Sequence, residues 1–263
     1  MRSGWRTALG LVVVVAVVVG AAAVGVGQGS ARAGEGAFVA GEPGCGRVAL
    51  IFNIGVGFEP AFEILNTLET SDTAATMFMM GWWLDWDPAS ARRIAAAGHP
   101  VGSHGNWPPE LTLRDEADIK ADLWGAEEAF LRVLGEPPAP YLTGFAGASD
   151  ARVDEIAARL GYLTVGWTVN TADWNPEVSA AAIHERVVDR VYDGAIVELH
   201  LDAAASTETT AVALPWIIED LRAQGYRFVT IPEMARPCPD EEAAATPEAG
   251  GSPVAEPKPV AAP

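Results

Sequence analysis

Cysteine is nearly absent from this 263-residue chain: there are two, Cys45 and Cys238. Two distant cysteines lack paired-ligand spacing, which argues against a cysteine-based zinc site. They bracket the segment that patterns as a folded domain. In an oxidising compartment they are placed to form one disulfide joining its start to its finish. Basic residues are scarce too. Lys and Arg together number 17 against 35 acids, for a formal net charge of -18. That balance argues against binding nucleic acid or an anionic membrane surface. Histidine occurs four times, at 99, 104, 184 and 200. No internal repeat is present, which argues against solenoids and propellers.

What the chain does have is apolar residues, 49% of the total, enough to bury a large core. The longest apolar run, Thr7 to Gly27, follows Arg2 and Arg6, the pattern of a segment targeted to a membrane. Ala31-Arg32-Ala33 offers a small-x-small cleavage site. Residues 1–33 read as a signal peptide cleaved after Ala33; the alternative is an uncleaved N-terminal anchor, which would be the chain's only contact with a membrane. Either places the domain outside the cytoplasm. Residues 34–44 read as a Gly-rich linker, 45–238 as the folded domain, and 239–263, rich in Ala, Pro and Glu, as a disordered tail.

Within 45–238, short apolar runs alternate with amphipathic segments. Strands are expected at 47–53, 74–80, 100–103, 139–143, 163–169, 195–199 and 227–230. Helices are expected at 59–69, 88–97, 112–134, 150–160, 177–190 and 209–224. In the longest, Ile119, Leu123, Ala126, Phe130 and Leu134 recur at helical spacing. Gly98, Gly161 and Gly225 fall just after helices, as C-terminal caps do. Strand–helix alternation predicts an α/β fold with a parallel sheet, and about seven units predict a distorted (β/α) barrel. Catalytic residues of such barrels gather at C-terminal strand ends, where Asn53, His104, Asp173 and His200 fall.

Six segments carry a further signal in order: Val48-Ala49-Leu50-Ile51-Phe52-Asn53-Ile54-Gly55, Ala75 to Gly81, Ile94 to His104, Gly194 to His200, Ala213 to Ile218, and Gly225 to Thr230. Together they resemble the polysaccharide deacetylase family, the NodB-homology domain of carbohydrate esterase family 4, across 45–238. The resemblance implies a divalent metal, usually zinc, held by one Asp and two His. It also implies an Asp base fixed by an Arg, and a His that protonates the leaving amine.

Most of those residues are replaced. The base position holds Asn53, which takes no proton near neutral pH. The metal Asp position holds Ile54. The metal motif reads His104-Gly105-Asn106-Trp107-Pro108, so His104 remains and Pro108 replaces the second His. The Arg position falls at Leu142, in a stretch whose register carries one extra residue. Asp173-Trp174 and His200 match the retained Asp-Trp motif and the catalytic His. The replacements are mutually consistent: beside a neutral Asn53, a buried Arg at 142 would be an unpaired charge. One ligand of three does not hold zinc in the family's manner. No cofactor is therefore expected unless a zinc site has been rebuilt, for which Asp202 lies near His200 in sequence.

His104 reads as a residual ligand or as a hydrogen-bonded structural residue, and Asp173 with His200 as a working acid pair or a retained core contact. His99 falls in a turn and His184 on a surface helix, with no role expected. Trp82, Trp83, Trp86, Trp107 and Trp174 fall where the resemblance places a glycan groove; packing inward is the alternative, expected of at least one of Trp82 and Trp83. Three functions follow. One is a pseudoenzyme binding envelope glycan, either peptidoglycan or another N-acetylated polysaccharide. The second is a deacetylase with rebuilt chemistry. The third is a structural or partner-binding envelope protein.

Overall fold

A computed structural model describes residues 36–238. The expected targeting segment and tail lie outside them. Among the described residues, no helix is long and apolar enough to cross a membrane.

The chain begins with β1 (Arg47–Ile54), α1 (Phe62–Thr70), β2 (Thr76–Met79), α2 (Gly81–Trp86), α3 (Pro88–Ala95) and β3 (Val101–Ser103). It continues with α4 (Glu116–Leu134), β4 (Ala139–Leu142), α5 (Ala151–Arg159), β5 (Leu163–Thr164), β6 (Val169–Asn170) and α6 (Ala180–Arg190). It ends with β7 (Ile196–His200), α7 (Thr210–Ala223), β8 (Arg227–Phe228) and α8 (Ile231–Met234). Among the described residues the named strands all pair in parallel, in the order β5-β4-β3-β2-β1-β7-β6, with β8 also pairing β1, and one isolated bridge, Ala40 to Ala195, is antiparallel. The result is a curled, half-barrel parallel sheet with helices, the architecture the alternation predicts.

Several elements differ from expectation. The single strand expected over 163–169 is two short strands. The loop between them leaves β5 on β4 and carries β6 to β7, at opposite ends of the sheet order. The helix expected from 112 begins at 116, where the Asp115 side chain accepts the Asp118 amide and caps it. Helices α2 and α8 are too short for periodicity to reveal them. The stretch expected as a linker is partly tied down. The Phe38 amide donates to the Thr164 carbonyl at 2.7 Å, and the Gly41 amide to the Gly194 carbonyl at 2.9 Å. Extended chain here uses backbone groups left free where the sheet does not close. Gly161 and Gly225 follow α5 and α7 with φ of +91° and +90°, as the expected caps.

Strand alternation divides the core into two faces. In β1, Val48, Leu50, Phe52 and Ile54 join the large cluster under α1, α6 and α7, while Ala49 and Ile51 pack inside the curl with Phe78 and Ile196. In β7, Val197 and Leu199 face the helices. The same alternation turns Glu198 and His200 inward beside Asn53, which pairs with His200 across the β1–β7 ladder. Cys45 and Cys238 form the disulfide, with Cα atoms 5.7 Å apart.

Candidate functional site

The inward residues at the C-terminal strand ends form one buried polar network. Thr143, just after β4, donates its hydroxyl to Asn53 Oδ1 at 3.0 Å. Its single proton is then committed, so at 2.7 Å its oxygen accepts from His104 Nδ1. That makes His104 the Nδ1–H tautomer and leaves Nε2 unprotonated. Burial holds the His104 imidazole down to about 3, helped by the charge of His200 and opposed by its bond to the Thr143 carbonyl.

On the other side, His200 Nδ1 and Asp173 Oδ1 are 2.8 Å apart. Asp173 Oδ2 accepts from the His200 amide at 2.8 Å and from the Thr210 hydroxyl at 2.7 Å. Glu198 Oε1 lies 3.2 Å from His200 Nε2 and 3.5 Å from Asn53 Nδ2. Burial disfavours the imidazolium, but Asp173, Glu198 and Asp202 together outweigh it and push His200 up to about 9. Burial raises Glu198 to about 7; the Asp173 charge adds to this, while His200 and Asn53 oppose it. Asp202 Oδ2 accepts the Gly55 and Gly57 amides at 2.8 and 3.2 Å. Burial nonetheless raises its carboxyl above the ordinary value. Among the described residues, Glu198 Oε2 and Asp202 Oδ1 are buried oxygens without a hydrogen-bond partner.

Several expected site residues sit elsewhere. Leu142 does not face the site: it packs among Leu111, Ile119, Leu123 and Ile156 on the helix side. Alternation gives the inward place to the next residue, Thr143. Ile54 also faces the helices and is fully buried. Trp83 is not a groove residue; it is fully buried in the main core. Trp174 is half exposed, beside Asp173 in the loop after β6.

The other aromatics make a shelf. Phe58, from the loop after β1, meets Trp82 and Trp86 of α2 edge-on, at 5.6 and 5.2 Å between ring centres. Trp82 stacks on Trp107 at 5.8 Å with planes 24° apart. Phe58, Trp86 and Trp107 are 59%, 62% and 54% exposed. The Trp107 loop is braced from behind. Asp122 of α4 accepts the Asn106 and Trp107 amides at 2.7 and 3.1 Å. Arg114 bonds Asp122 and the carbonyls of Trp107 and Pro109.

The polysaccharide deacetylase profile matches residues 40–165. Peptidoglycan-N-acetylglucosamine deacetylase PgdA of Listeria monocytogenes is 29% identical over 188 residues, 72% of this chain and 38% of that one. The chain thus spans well under half of that relative. The solved Bc1960 peptidoglycan N-acetylglucosamine deacetylase superposes with a TM-score of 0.69 at 29% identity, covering 74% of this chain and 91% of that one.

Residues 40–165 carry a polysaccharide deacetylase domain. A pseudoenzyme is among the structures it resembles. Wild-type BA3943 of Bacillus anthracis, described as a family pseudoenzyme, superposes with a TM-score of 0.69 at 26% identity, covering 75% of this chain and 68% of that one. A mutant of that protein is described as having restored enzymatic activity.

The family's chemistry is metal-dependent, and the donors here do not fit its metal. Of the three positions the sequence resemblance assigns to its ligands, Ile54 is turned into the core, position 108 is proline, and only His104 offers a nitrogen. Donor atoms of Asp173, Glu198 and His200 do lie within 4.8 Å of one another. In that group the two carboxylates address opposite ring nitrogens of His200, an arrangement that holds a protonated imidazole. Glu198, Thr143 and Phe58 were missed by sequence reasoning. Glu198 had a readable signal: a lone carboxylate two residues before His200 in an apolar strand shares its face.

Proposed function

We infer that this protein is a family member that binds an envelope glycan outside the cytoplasm and has lost metal-dependent deacetylation. One observation carries the reading: no carboxylate stands at position 53 and no metal donor at 54 or 108, while the network around them is closed by Asn53, Thr143 and His104. A proton acceptor and a Lewis acid are both required by the family's reaction. Delivery across a membrane by the N-terminal apolar run agrees with the Cys45–Cys238 disulfide. The names of relatives such as PgdA support peptidoglycan as the glycan.

The test is acetate release from N-acetylglucosamine oligomers and peptidoglycan fragments, with and without zinc or cobalt, beside a competent family member. The expected result is none. A second reading keeps hydrolysis, because Asp173 still holds His200 at 2.8 Å in the manner of a working acid. It requires release that disappears in His200→Ala, and that result would overturn the first reading.

A further inference from the structure

The aromatic shelf, whose Trp107 follows His104 in the same loop, carries its own charge pattern. Its three segments, residues 55–61, 81–87 and 104–110, contain Glu59, Asp85, Asp87 and Glu110 and no Lys or Arg. The nearby cations are already engaged: Arg132 grips Asp85 through two nitrogens, and Arg114 is held by Asp122 and two carbonyls. Among the described residues, Glu59 and Glu110 have no ion-pair partner. The loops that carry the shelf therefore hold two acids, Glu59 beside Phe58 in sequence and Glu110 three residues after Trp107, without a paired cation.

We propose that Phe58, Trp82, Trp86 and Trp107 bind an amino-sugar chain in its de-N-acetylated, cationic form. The proposal rests on the glycan reading above and adds the charge state of the ligand. An indole face attracts an ammonium through its quadrupole and accepts the apolar face of a pyranose. Phe58 stands edge-on to two indoles and gives the surface a wall as well as a floor. The acids then select among glycans. They repel a polyanion, leave a neutral chain to stacking alone, and favour a polyamine.

The surface is also fixed in advance. Asp122 and Arg114 hold the backbone of the Trp107 loop. The Asn106 side chain fills space beside Gly81 and Gly125, where an added Cβ would come within 2.1 and 2.7 Å of it. Little ordering is left for the ligand to impose, which favours affinity.

Calorimetry of the full chain at low salt and pH 6 would compare β-1,4-linked hexamers of glucosamine, N-acetylglucosamine and glucose. The glucosamine hexamer is expected to bind about tenfold tighter than the acetylated one, with the advantage gone in about 1 M salt. Trp107→Ala should weaken every hexamer that binds. A Glu59→Gln, Glu110→Gln double variant should reduce only the preference for the amine. Glu59 and Trp107 are exposed and Glu110 is partly buried, and unchanged unfolding temperatures would show that the variants fold. Equal or tighter binding of the acetylated hexamer would overturn this inference and leave the glycan reading intact. No binding of any hexamer would remove both.

Discussion

Glu198 stands between Asn53 and His200, its Oε1 3.5 Å from the amide of one and 3.2 Å from the imidazole of the other. The family's base would occupy position 53. A carboxylate from the neighbouring strand thus stands beside the position that the sequence resemblance assigns to the base. The amide at 53 can donate to Glu198; an aspartate there could not.

Asn53→Asp alone should therefore fail to rebuild a base. Two buried carboxylates would face one another, with His200 already shared with Asp173. We expect a loss of about 2–4 kcal/mol of stability at pH 7, smaller near pH 5 where one of the pair is protonated. Adding Glu198→Gln should recover most of it. Urea unfolding of the single and double variants would check this. A single variant as stable as the parent would show that the two side chains do not interact.

Thr143 links the two halves of the network through one hydroxyl. Thr143→Val keeps the shape and orphans Asn53 Oδ1, while His104 Nδ1 still reaches the Thr143 carbonyl at 3.2 Å. One buried unsatisfied acceptor should cost about 1–3 kcal/mol, and Thr143→Ser should restore most of it. Equal stability of the valine and serine variants would exclude the hydroxyl from that role.

The fold was legible because alternation of apolar strand and amphipathic helix is a long-range pattern, and six helices and most strands follow it. The site was legible only where identity decides chemistry, as at Asn53 and Pro108. Leu142 was misplaced because a one-residue shift in a strand exchanges inside for outside. The extra residue near Gly144 left that register open. Trp83 shows the same limit on a helix, where adjacent indoles at 82 and 83 point to different surroundings. The braces at Asp122 and Arg114 join loop to helix across distance, and no local pattern announces them.

The charge on His200 makes a prediction about pH. Its folded value is raised from 6.5 to about 9, so the stabilisation is complete below the unfolded value and is lost as pH rises through 9. Between pH 4.5 and 6.5 two effects oppose: raised Glu198 loses stability with rising pH, and depressed His104 gains it. Above pH 7 His200 dominates. Stability should fall by about 2 kcal/mol between pH 7 and 9. Denaturation midpoints at pH 7, 8 and 9 would check this, and His200→Gln should flatten the slope. A level profile in the parent would mean that His200 is neutral throughout.

The Trp107 loop gives the last test, because its order is supplied by two side chains that touch no ligand. Asp122 accepts two loop amides and the Arg114 guanidinium, all within one buried carboxylate. Asp122→Asn halves the acceptor capacity and leaves Arg114 without its counter-charge. We expect about 2–3 kcal/mol of lost stability. Packing of α4 against α2 should persist, since it does not depend on that carboxylate. Loosening should then be local. In the variant, indole fluorescence should be quenched more readily by acrylamide, with helical circular dichroism unchanged at temperatures well below unfolding. A Trp107→Phe control would assign the change to that ring. Unchanged quenching would show that Trp107 is held by its stack on Trp82 and not by the brace behind it.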